Sequence, residues 1–193
     1  VKNLPNALSV FRILLVPILV TVLFTKVEGR EWYGLALFLG AALTDFLDGY
    51  LARKFRVVSR LGQLLDPAAD KILMASAFVS LVELNPHVTP AWMVAIILAR
   101  EFAVGALRNI AAAEGKVIAA GWAGKVKTTV QIVAVSLLII HNQLGEFRHL
   151  APLSLWIAVF VTVFSGFEYF LRYRAMLATD APAGGTPGGG APA

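Results

Sequence analysis

Residues 44–71 read TDFLDGYLARKFRVVSRLGQLLDPAADK, and they place four aspartates and several cations inside a chain that is otherwise 58% hydrophobic. Asp45 and Asp48 stand at i, i+3 and Asp66 and Asp70 at i, i+4, so each pair shares one face if its segment is helical. Four carboxylates gathered at low dielectric raise one another's pKa and resist ionisation. A divalent cation removes that conflict. Oxygen-only donors favour a hard ion, Mg²⁺ first and Mn²⁺ second, and no Cys or His nearby suggests zinc. Carboxylates on two helices suit a pair of metals that clamps both oxygens of an in-line phosphoryl displacement.

The residues between the aspartates fit such a site. Gly49 lets a ligand approach the helix, Ala52 keeps the next turn of that face shallow, and Arg53 can grip a phosphate bidentately. Gly62 reads as part of a turn between the two pairs, and Pro67 as the first turn of the helix that follows. The competing reading is a solvated interfacial network in which the aspartates pair with Arg53, Arg56, Arg60 and Lys71.

The rest of the chain explains the setting. With 193 residues, mean hydropathy +0.74 and only 15% charged residues, it is too apolar for an ordinary soluble domain and too long for a single anchor. It reads as an all-α, polytopic integral membrane protein with six spans of roughly 20 residues. The expected spans are 7–25, 33–52, 67–85, 90–111, 126–144 and 150–172. The first lacks the features of a cleaved signal peptide and reads as a retained helix, which Pro17 kinks rather than ends.

Charge sets the expected orientation. One side carries only Lys26, Arg30 and Arg148, whereas Lys2, Arg53, Lys54, Arg56, Arg60, Lys116, Lys125, Lys127, Arg172 and Arg174 lie on the other. That bias places both termini and the aspartates on the cytoplasmic side of the membrane. It also accounts for the net charge of +5 without a nucleic-acid partner. There is no cysteine, hence no disulfide. The spans make one unit over 1–174, and the Gly/Pro/Ala-rich tail at 175–193 is expected to be disordered.

Two further stretches carry polar groups. LPNALSVFR places Asn6, Ser9 and Arg12 at i, i+3, i+6, a stripe at the start of the first span. Asn6 and Ser9 suit a helix cap equally well, but a charge such as Arg12 inside a span needs a partner or a wet cavity. In AREFAVGALRN, Glu101 and Arg108 share a helical face, and Arg100 with Glu101 reads as an internal pair. Lys125 and Thr128 share a face in the following span. Arg108, Lys125 and Lys127 together would make an anion pocket for an acceptor with its own phosphate, although flanking lysines also follow from topology alone.

The aspartate stretch resembles the CDP-alcohol phosphotransferases, whose signature is D-x-x-D-G-x-x-A-R-x8-G-x3-D-x3-D. Asp45, Asp48, Gly49, Ala52, Arg53, Gly62, Asp66 and Asp70 occupy its eight fixed positions with every spacing intact. The resemblance implies a six-helix membrane enzyme, usually a homodimer, that moves a phosphatidyl group from a CDP-linked donor to an alcohol and releases CMP. It further implies that Asp45, Asp48, Asp66 and Asp70 hold two divalent metals and that Asp70 is the general base. The CDP moiety would lie against Asn6, Ser9, Arg12, Gly49, Ala52, Arg53 and Ser59.

The flanks LPNALSVFR, LDPAADK, AREFAVGALR and GKVKTT resemble the bacterial branch that uses CDP-diacylglycerol and sn-glycerol 3-phosphate in phosphatidylglycerol synthesis. Arg108, Lys125, Lys127 and Thr128 would then bind the acceptor phosphate. A sibling acceptor, inositol phosphate or phosphatidylglycerol, stays open. So, more remotely, does a cation transporter, although the acidic groups cluster at one edge and no repeated halves stand out.

Overall fold

The computed structural model describes the backbone of residues 4–55, 60–115 and 122–179, with side chains at 9–44, 67–115 and 122–176. Among the described residues there are six α-helices and no strand: α1 (Leu4–Phe24), α2 (Arg30–Phe55), α3 (Arg60–Leu84), α4 (Ala91–Ala113), α5 (Trp122–Ile139) and α6 (Leu150–Thr179). Two short 3-10 turns, His141–Gln143 and Gly145–His149, join α5 to α6. Helix α1 packs chiefly on α3 and α2, and α6 on α5 and α4.

Each expected span falls on one helix, and the differences have local causes. Helix α3 begins at Arg60, so Gly62 is helical and Pro67 lies inside the helix, not in a first turn. The run Leu61 to Leu65 favours helix strongly enough to carry the chain past both residues, although Pro67 removes the hydrogen bond to the carbonyl of Gln63. Helix α5 starts at Trp122 and stops at Ile139, earlier than expected at both ends, and His141, Asn142 and Gln143 form a 3-10 turn instead. Helix α6 continues through the helix-forming Ala175, Met176, Leu177 and Ala178 to Thr179, past the expected boundary at Arg174. Residues 180–193, and with them the expected disorder of the tail, lie outside the described residues. Pro17 is internal to α1, which runs on to Phe24.

Burial departs from that of a soluble bundle, most of all at the surface. Apolar side chains such as Leu19, Phe38, Phe78, Leu138 and Leu155 fill the centre, but polar Ser9, Arg12, Ser80, Gln131, Thr162 and Ser165 are buried with them. Alanines at 41, 69, 77, 134, 151 and 158 are buried as well, which lets helix backbones approach closely. The outer surface carries the large apolar groups. On α6 alone Trp156, Phe160, Val163, Phe164, Phe167 and Phe170 are exposed, a continuous apolar face that water would not tolerate on a monomer. By length and apolarity, α5 and the stretch containing α6 qualify as membrane spans among the described residues. Helices α2, α3 and α4 carry the ionic residues discussed below, which lowers their apolarity without shortening them.

Polar contacts then join helices from within. Gln131 Nε2 on α5 donates to Thr162 Oγ1 on α6 at 3.1 Å, with both residues buried. Thr162→Val keeps the shape and removes the acceptor. It should lower stability by about 0.6 kcal/mol and by no more than about 1.7 kcal/mol, the average and the maximum measured for hydrogen bonds between helices in lipid. Unfolding in mixed micelles checks this, and an unchanged midpoint would show that Gln131 finds another acceptor.

Candidate active site

The second half of α4 and of α6 and the first half of α3 and of α5 meet at one end of the bundle around a cavity of about 750 Å³. Helix α3 contributes Pro67, Asp70 and Lys71 to its wall, and α4 contributes Arg100, Glu101, Gly105 and Arg108. Lys125, Lys127 and Thr128 come from α5, and Ser165, Glu168, Tyr169 and Arg172 from α6. The sequence spacing of Asp66 and Asp70 places them one turn apart on α3, and that of Asp45 and Asp48 does the same on α2, which packs against α3.

The four residues expected to bind an acceptor phosphate, Arg108, Lys125, Lys127 and Thr128, therefore line one cavity together with Asp70. Ser9 and Arg12 do not line it: both are fully buried on α1. Asn6, Asp45, Asp48, Gly49, Ala52, Arg53 and Asp66 have described backbone in α1, α2 or α3, but their side chains lie outside the described residues. Ser59 lies outside them altogether. Among the described residues no group of three acidic or imidazole side chains is placed to hold a metal; of the four signature aspartates only Asp70 has a described side chain.

The cavity wall holds six basic residues and three acidic ones, and the pairing among them is specific. Lys127 Nζ donates to Glu101 Oε1 at 2.7 Å, and Arg100 Nη1 reaches the same oxygen at 3.3 Å. Arg100 Nη2 also donates to Ser165 Oγ at 2.8 Å. Arg100 can lie there because residue 166 is glycine, where a Cβ would come within 2.9 Å of Arg100 Cγ. Arg172 pairs with Glu168 one turn away on α6. No carboxylate among the described residues lies within ion-pair distance of Lys71, Arg108 or Lys125. The Arg108 guanidinium stands over the Tyr169 ring, 5.8 Å from its centroid, a cation–π contact. Thr128 Oγ1 donates to the Gly124 carbonyl at 3.2 Å, which anchors it in the first turns of α5.

The Arg100–Glu101 pair is as the sequence suggests. The bond from Glu101 to Lys127 is not legible there, since the two residues are on different helices and neither periodicity nor spacing relates them. Lys71, Tyr169, Ser165 and Glu168 also line the cavity, and the sequence does not mark them as parts of it. Only the i, i+4 pairing of Glu168 with Arg172 leaves a trace in the sequence.

A cavity with surplus positive charge beside an aspartate-bearing helix suits chemistry on anionic phosphoryl groups. Residues 2–164 match the model of the CDP-alcohol phosphatidyltransferases, and the chain belongs to that family. Among its relatives, a CDP-diacylglycerol–glycerol-3-phosphate 3-phosphatidyltransferase of Bacillus subtilis is 43% identical over 193 residues, 92% of this chain and 98% of the relative. Proteins of the same name from Rickettsia felis and Escherichia coli K12 are each 36% identical. The first match covers 88% of this chain and 94% of the relative, the second 91% and 97%.

Proposed function

We propose that the protein transfers the phosphatidyl group of CDP-diacylglycerol to the 1-hydroxyl of sn-glycerol 3-phosphate, forming phosphatidylglycerophosphate and releasing CMP. The observation that carries the reading is the shared cavity, where Lys71, Arg108 and Lys125 stand beside Asp70 with no carboxylate partner among the described residues. Such a wall suits an acceptor that brings its own phosphate, and the names of the relatives specify glycerol 3-phosphate.

In this reading Asp70 accepts the proton of the acceptor's 1-hydroxyl as its oxygen attacks the lipid-side phosphorus, and the phosphorus–oxygen bond to CMP breaks. Arg108 and Lys125 hold the acceptor phosphate, and Thr128 borders it. Lys127, engaged by Glu101, shapes the wall and adds positive charge to it. Asn6, Ser9, Arg12, Gly49, Ala52, Arg53 and Ser59 would hold the CDP moiety.

Asp45, Asp48, Asp66 and Asp70 would hold two Mg²⁺, or Mn²⁺ in their place, because an all-carboxylate donor set on adjoining helices suits hard ions. When bound, such ions neutralise the charge that develops on the pyrophosphate. The exposed apolar faces and the lengths of the six helices support a multi-pass protein of the bacterial cytoplasmic membrane with the cavity on the cytoplasmic side. A lipid donor can then keep its acyl chains in the bilayer while its nucleotide reaches water. A homodimer would fit the same apolar surface.

The test is CMP release by purified protein given CDP-diacylglycerol with glycerol 3-phosphate, inositol phosphate, serine or phosphatidylglycerol. Turnover is expected with glycerol 3-phosphate alone, and it should vanish on chelation and return with Mg²⁺. Turnover with a different alcohol would leave the transfer chemistry standing and refute the acceptor. No CMP from any of them would overturn the enzyme reading.

A further inference from the structure

We propose that Lys71, seated in a slot left open by Gly105, is a specificity-determining contact for the phosphate carried by the acceptor. The inference rests on the reading in which that phosphate enters the cavity. Lys71 follows Asp70 on α3, yet its side chain crosses to α4. A Cβ at position 105 would lie 2.1 Å from Lys71 Nζ and 3.3 Å from Cε, so only glycine admits the ammonium where it now stands.

Gly105 is four residues after Glu101 and three before Arg108, so the three share a face of α4 and the ammonium rests between the other two. Glu101 is already engaged by Lys127 and Arg100. Lys71 makes no hydrogen bond or ion pair with a described residue. Two cations, Lys71 and Arg108, thus line the same wall of an open cavity, where one anion can meet both. A phosphate monoester supplies enough oxygens for both, with Arg108 offering a planar fork and Lys71 a point charge. Tyr169 adds an independent sign of a ligand: it is only 6% exposed, lies beneath Arg108 in the same wall, and its hydroxyl has no hydrogen-bond partner among the described residues. Acceptors without a phosphate would leave all three groups unsatisfied.

Steady-state kinetics of the full chain in detergent test the idea with two variants. Lys71→Met keeps most of the stem and removes the charge. It should raise the KM for glycerol 3-phosphate by about tenfold or more, the scale of a lost charged hydrogen bond, and leave the KM for CDP-diacylglycerol unchanged. Gly105→Ala retains the charge, suits a helix and pushes the ammonium aside, so the same KM should rise by a smaller factor. An unchanged KM for glycerol 3-phosphate in both variants would overturn the proposal. So would a rise confined to CDP-diacylglycerol, which would assign Lys71 to the donor pyrophosphate.

Calorimetric titration with inorganic phosphate separates this inference from the reaction it rests on. If the unaltered protein turns over no glycerol 3-phosphate but binds phosphate about tenfold more tightly than the Lys71→Met variant, the reaction is wrong and the lysine's role as a phosphate contact stands. Equal affinity in the two proteins, or no binding by either, refutes that role.

Discussion

Asp70→Asn is expected to lower the rate of CMP release by about a thousandfold or more, within the range that a positioned general base contributes. Asparagine matches aspartate in size and keeps one carbonyl oxygen, so the helix and the cavity wall survive the change. It cannot accept a proton at neutral pH, and it is a weaker donor to a hard cation than a carboxylate. Asp70 is half-buried on α3, in the wall that also carries Arg108, Lys125 and Thr128, where a bound acceptor would present its hydroxyl. Binding of CDP-diacylglycerol, followed by calorimetric titration of the protein in detergent micelles, should remain measurable because Asp45, Asp48 and Arg53 are intact. Turnover within threefold of the unaltered protein would sink the base assignment, whatever the acceptor.

The base role of Asp70 follows from the resemblance of the signature to the CDP-alcohol phosphotransferases, whereas the grouping of the aspartates has a physical reason. Carboxylates one helical turn apart on two successive apolar segments leave few chemical uses, and the spacing itself fixes which of them share a face. The helices were legible for a related reason: the hydrocarbon core sets the length of a span, so α1, α2, α4 and α6 fall close to the expected residues. The start of helix α3 is not legible because Gly62 and Pro67 are turn-formers in isolation, and the flanking leucines outweigh them. The cavity was half legible. Periodicity could say that Arg108 or Lys125 shares a face with its own neighbours, but not which helix that face would meet. Lys71 in the slot of Gly105, Tyr169 under Arg108 and Lys127 on Glu101 are all contacts between helices, set by crossing geometry that no single segment encodes.

The Glu101 contact carries the second large effect. Glu101→Ala should destabilise the protein by about 1–3 kcal/mol, because it leaves the Lys127 ammonium and the Arg100 guanidinium facing each other without their shared acceptor, with Asp70 as the remaining nearby counter-charge for Lys127. The side chains of Arg100, Glu101 and Lys127 are only 14%, 17% and 11% exposed, so water that reaches them through the open cavity screens that repulsion only in part. The loss also reaches three helices at once. Glu101 ties α4 to α5 through Lys127, and it steadies the Arg100 guanidinium that donates to Ser165 on α6. Removing Lys127 as well should recover part of the stability, since the double variant no longer buries an unpaired ammonium. A double-mutant cycle should return a coupling of about 0.5–3 kcal/mol between the two residues. Lys127→Ala alone should then lower the unfolding midpoint even without substrate, besides any rise in the KM for glycerol 3-phosphate. A lysine that served only to bind phosphate would leave the substrate-free midpoint where it was. Equal destabilisation of Glu101→Ala and of the Glu101→Ala, Lys127→Ala pair would show that the loss arises from Arg100 and its hold on α6, with Lys127 free to act on the acceptor alone.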